Sequence, residues 1–152
     1  MYRIMLSACL AILVAAAIAR PAFGSTPAAT INAELLFTGF TNVDSDHNGK
    51  ASVGDLTLAP GFYVNSGGKR MGKVSASCVQ MNTAGTEFNC TDVHHFAGGD
   101  IVTAGRFSPL EKIAHQAIVG GTGVYAGVRG TLAAKWLARD FSLAAVTFTL
   151  NP

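Results

Sequence analysis

At 152 residues the chain has room for one domain, and with 49% hydrophobic and 13% charged residues it has the material for one modest core. Its formal charge of +2 falls to zero once the first 24 residues are set aside: Arg3 and Arg20 leave with them, and nine basic side chains then balance nine acidic ones. That balance supplies no basic footprint for nucleic acid.

The first 24 residues read as a secretory signal. Arg3 gives the positive start, Ile4 to Ile18 an apolar stretch short for a bilayer span, and Ala22-Phe23-Gly24 the small residues of a cleavage site. The mature protein is then expected to be secreted, periplasmic or extracellular, with no membrane association after signal removal. Cys9 leaves with the signal, so Cys78 and Cys90 remain as an even pair in an oxidising compartment and read as one disulfide. Residues 25–32 read as a flexible leader and 33–152 as the folded domain.

From Ala33 the chain turns to Glu34-Leu35-Leu36-Phe37-Thr38-Gly39-Phe40-Thr41, rich in residues that suit a pleated surface, and this predicts the first strand. Asp44 to Asp55 then fits a twelve-residue EF-hand loop at most positions, with oxygen ligands at Asp44, Asp46, Asn48, Ser52 and Asp55 and the bend at Gly49. Asp55 is shorter than the usual bidentate Glu and the flanks read as strands rather than helices. Two readings stand for this loop: a calcium site, or turns made by Asp, Asn, Ser and Gly.

Leu56 to Asn65 predicts a strand interrupted at Pro60-Gly61, hence an edge or a bulge. Ser66-Gly67-Gly68 turns it into Arg70 to Met81, and Asn82 to Thr86 turns that into Phe88 to Phe96. Folding the second hairpin about Ala84 sets Cys78 opposite Cys90, so geometry supports the disulfide as well as the count. Ile101 to Phe107, Ile113 to Val119, Thr131 to Leu137 and Phe141 to Leu150 complete about eight evenly spaced strands, the pattern of an all-β sandwich or closed barrel. Leu132 to Ala138 would favour a helix by propensity alone.

Five glycines fall in the eleven residues from Gly120 to Gly130. Gly121-Thr122-Gly123-Val124-Tyr125-Ala126 satisfies a dinucleotide fingerprint, with Asp140 near the position of a ribose-binding acid. Three facts oppose that reading. Asp140 precedes an apolar run instead of ending one, the sequence given ends twelve residues later, and Gly127 and Gly130 would lie inside the required helix. A tight corner between barrel strands accounts for the glycines without these conflicts.

Gly54-Asp55, Gly68-Lys69 with Gly72, Cys78 and Cys90, Asp100-Ile101 with Gly105, and the block Ala117 to Gly130 follow one another in the order of the allene oxide cyclase barrel-like family, which includes the dirigent proteins. The chain resembles a bacterial secreted member over about Phe37 to Leu150. The resemblance implies an eight-stranded antiparallel β-barrel with an apolar lumen, no metal or organic cofactor, and a small lipophilic molecule as partner. It implies guided stereospecific cyclisation or coupling, a dirigent-type or cofactor-independent isomerase activity, in a protein often found as a homo-oligomer. Catalysis of that kind works by orienting a confined substrate.

Arg129 matches the arginine of the final block, and Asp55 the family's Gly-Asp entry to its second strand. With His94 they form the set of catalytic candidates. Tyr125, Arg129 and Phe62 are the ligand-contact candidates, and Gly120, Gly121, Thr122, Gly123, Gly127 and Gly130 the structural motif. His94 and His95 are adjacent in a strand, so at most one enters the lumen. No cysteine or acid at ligand spacing completes a zinc site with them, and no G-x-S-x-G supplies a nucleophile elbow. Two other functions remain open: a non-catalytic secreted binding barrel, and an adhesion or assembly module dependent on calcium in the Asp44 to Asp55 loop.

Overall fold

A computed structural model describes residues 29–151, so the signal segment lies outside the described residues. Nine strands follow in order: β1 (Ala29–Phe37), β2 (Thr41–Val43), β3 (Leu56–Val64), β4 (Arg70–Gln80), β5 (Phe88–Phe96), β6 (Gly99–Phe107), β7 (Ile113–Gly121), β8 (Arg129–Trp136) and β9 (Leu143–Asn151). Each pairs antiparallel with the next from β3 to β9. β9 pairs with β1, and β1 closes the ring on β3 through Glu34–Phe37 against Gly61–Val64. Eight strands therefore form a closed barrel, and β2 extends the edge of β3 beyond the end of β1. Closure leaves no long row of unpaired backbone N–H and C=O groups.

The alternation seen in the sequence fixes which residues point inward. Along β9, Ala144, Val146, Phe148 and Leu150 are buried while Ala145, Thr147 and Thr149 face outward. Residues Ala29 to Asn32 belong to β1, paired with Leu150 to Thr147, which corrects the leader expected to run to residue 32. Small and polar residues misled there because the pairing partner lies more than a hundred residues away. In the segment with helical propensity, Leu132, Ala134 and Trp136 share one face of β8; burial against the lumen overrides a local preference worth only tenths of a kcal/mol per residue.

Pro60 neither ends β3 nor makes a bulge, and the register shift falls between Tyr63 and Val64. Thr38, in the gap between β1 and β2, donates its N–H to the Pro60 carbonyl at 2.9 Å, so the missing proline N–H sits where the neighbouring ladder is already interrupted. Gly61 permits the closure, because a Cβ there would sit 2.6 Å from the Leu36 carbonyl oxygen.

The connections before β3, between β4 and β5, between β6 and β7 and between β8 and β9 share one end of the barrel. The glycine corner lies at the other, where Gly123–Tyr125 makes a single 3-10 turn. Gly123 has φ +59°, and a Cβ on it would collide with the Gly98 carbonyl oxygen. The fingerprint glycines thus pack backbone on backbone and close the barrel end.

Candidate functional site

Tyr63, Ile101, Ile118 and Phe148 are almost fully buried and fill the end of the barrel next to the glycine corner. Toward the opposite end the inward residues are smaller: Ala59 on β3, Ala76 on β4, Ala114 on β7 and Ala134 on β8. Small side chains on four strands leave a cavity of about 320 Å³, within the range of small-molecule sites. Its mouth is aromatic. Trp136 packs edge-on to Phe141 and Phe107 with ring centroids 5.1 and 5.6 Å away, and Phe37, Phe40 and Phe88 complete the collar.

One polar strip crosses this apolar lining. Tyr63 Oη lies 2.6 Å from His94 Nδ1, His94 Nε2 lies 2.8 Å from Thr103 Oγ1, and Thr103 Oγ1 donates to Gln116 Oε1 at 2.5 Å. Tyr63, His94, Thr103 and Gln116 are all buried. Asp92 lies beside them in the lumen wall. Burial pushes its carboxyl up to about 6, with the Gln116 side chain and the Ser77 backbone N–H drawing it partly back. Its Oδ1 is buried with no hydrogen-bond partner among the described residues. Burial pushes His94 down to about 3, so the ring is a neutral imidazole at physiological pH, and burial with the nearby Asp92 charge raises the Tyr63 phenol. A carboxyl that titrates near neutrality in an apolar cavity can both give and take a proton.

Of the sequence candidates, His94 lies in the lumen and lines the cavity, while His95 faces outward with Nδ1 2.7 Å from Asp100 Oδ1. The others lie elsewhere. Arg129 is exposed at the closed end and donates from Nη1 to its neighbour Val128's carbonyl at 2.8 Å. Tyr125, at the same end, packs against Phe96 with centroids 6.2 Å apart. Phe62 alternates with the inward Tyr63 and lies beneath the Arg70 guanidinium, 4.8 Å from it. Cys78 and Cys90 are opposite one another in the β4–β5 register and are joined as a disulfide in the cavity wall.

Asp55 sits in the loop before β3, accepting from Ser45 N at 2.9 Å and from Ser52 N at 2.7 Å. Ligand oxygens of Asp44, Asp46 and Asp55 come within 4.8 Å of one another, as the EF-hand spacing requires. Each also accepts from the loop. Asp44 takes the Gly49 N–H at 2.7 Å, the main reason its carboxyl is held below the usual range, and Asp46 takes the Asn48 side-chain amide at 2.7 Å.

Sequence reasoning missed Asp92, Thr103 and Gln116. The signal for Asp92 was present: Phe88, Cys90, Asp92, His94 and Phe96 share one face of a strand, so assigning His94 to the lumen assigns Asp92 as well. Thr103 likewise shares the inward face of β6 with Ile101, and Gln116 that of β7 with Ile118.

No protein-family model matches the chain, and no curated protein matches its sequence. Solved structures do match. Pyocyanin demethylase superposes with a TM-score of 0.68 at 22% identity, over 81% of this chain and 100% of its own. A pterocarpan synthase dirigent protein gives 0.66 at 22%, over 84% and 96%. An exo-specific intermolecular Diels-Alderase gives 0.65 at 12%, over 84% and 100%. The fold is that of the dirigent and Diels-Alderase barrels. Among the described residues, no helix is long and apolar enough to cross a membrane.

Proposed function

We propose that this barrel takes a small, largely apolar organic molecule into its lumen and guides a stereospecific ring closure or coupling, with Asp92 as the general acid-base group. The observation that carries the reading is the Asp92 carboxyl, set with its Oδ1 buried and unpartnered among the described residues in the wall of a cavity of about 320 Å³ whose remaining lining is mostly apolar. The cavity restricts the substrate's conformers, and in a closure that displaces a leaving group the carboxyl gives its proton to the departing oxygen and takes one back from the attacking hydroxyl. Support also comes from the printed activities of structures that share the fold: a dirigent pterocarpan synthase and a Diels-Alderase. In this reading the chain works outside the cytoplasm, where residues 1–24 direct it and where the Cys78–Cys90 disulfide is maintained.

Mass spectrometry of molecules that co-purify with the mature protein supplies the ligand, and chiral analysis after incubation supplies the reaction. Ala134→Phe, which fills the cavity from β8, is expected to abolish capture. Asp92→Asn is expected to preserve capture and remove conversion. Capture without conversion by the unaltered protein makes it a binding barrel, and unaffected capture by Ala134→Phe rejects the lumen as the site.

A further inference from the structure

The polar strip has a direction. Thr103 has one hydroxyl proton, and it goes to Gln116 Oε1. At its contact with His94, Thr103 is therefore the acceptor, which requires the proton of the neutral imidazole to be on Nε2. His94 Nδ1 is then a bare acceptor, and the bond from Tyr63 is donated by the phenol. With its carbonyl committed to Thr103, Gln116 has its NH2 group left for Asp92, which stands opposite Thr103 in the β5–β6 register and lines the same cavity as Gln116. The reverse sense fails at the phenol, because it leaves the buried Tyr63 proton with no acceptor among the described residues.

We infer that Tyr63, His94 and Thr103 form a one-way hydrogen-bond chain that locks the Gln116 amide with its NH2 toward Asp92, making Thr103 a positioning residue for the lumen carboxyl. The inference concerns the free protein and stands whether or not a ligand is converted. Without the lock the amide can rotate and offer its oxygen, and a carboxyl beside an acceptor holds its proton more tightly. The other titratable groups facing Asp92 in the cavity are His94 from its own strand and Tyr63 from β3. Among the described lining residues, β1, β4, β6, β7, β8 and β9 contribute no ionisable side chain.

Two measurements on the full mature protein test this. Nitrogen-15 NMR of the His94 ring should find the proton on Nε2 from about pH 5 to 8, the range in which an ordinary histidine changes charge. A proton on Nδ1 overturns the proposal, and this readout needs no variant. Carbon-13 NMR titration of the Asp92 carboxyl should show its midpoint rising by about one pH unit in Thr103→Val and remaining near the unaltered value in Thr103→Ser, which keeps the hydroxyl. An unmoved midpoint in folded Thr103→Val, or equal shifts in the two variants, also overturns it.

Discussion

Aspartates in two regions of this molecule meet opposite environments. In the loop before β3, Asp44, Asp46 and Asp55 crowd together, yet backbone and side-chain donors of the loop satisfy them, and the Gly49 N–H holds Asp44 in its ionised form. In the lumen, Asp92 has no like-charged neighbour among the lining residues. It has few donors and a buried, unpartnered Oδ1, and burial moves its carboxyl up to about 6. The proposed chemistry therefore follows shortage of compensation and not convergence of charges, because a group that the fold leaves unsatisfied keeps its capacity for a new partner.

The largest effect is expected from Asp92→Asn. Single-turnover conversion of the captured molecule should fall by about 10²- to 10⁴-fold with affinity changed only a few-fold; an equal rate would move the chemistry elsewhere.

The same variant should be the more stable protein at neutral pH, by about 1–3 kcal/mol in urea unfolding. The folded-state value of Asp92 is raised, so the stability it contributes is present below the ordinary carboxylate range and is lost as pH rises toward about 6. His94 has the opposite sign. Its folded value is lowered, so stability grows as pH rises from about 3 through the ordinary histidine range. These slopes oppose one another in the unaltered protein, whereas Asp92→Asn should leave only the rising limb. A falling limb in the variant would contradict the assignment.

The loop should respond less. Asp55→Ala removes the acceptor for two backbone N–H groups that stay within reach of water, and about 1 kcal/mol of destabilisation is expected, measured by the same unfolding method. Millimolar calcium against a chelator should shift the melting temperature least of all, by less than about 2 °C, since the loop already supplies donors to its carboxylates. A larger rise would make this region a cation site.

Strand pattern, turns and the Cys78–Cys90 pairing were legible in the sequence because each depends on neighbours along the chain. Alternation sets which side chains share a face, glycine and asparagine set the turns, and a tight hairpin sets the cysteine register. The resemblance carried by the Ala117 to Gly130 block pointed to the barrel, but it drew attention to Arg129 and Tyr125 at the closed end, away from the cavity. Only the tertiary structure decided the site. Tyr63, Asp92, His94, Thr103 and Gln116 come from β3, β5, β6 and β7, and their contacts depend on the registers across the barrel wall. The periodicity of a strand says which way a side chain points; what it meets there is set by the closure of the ring.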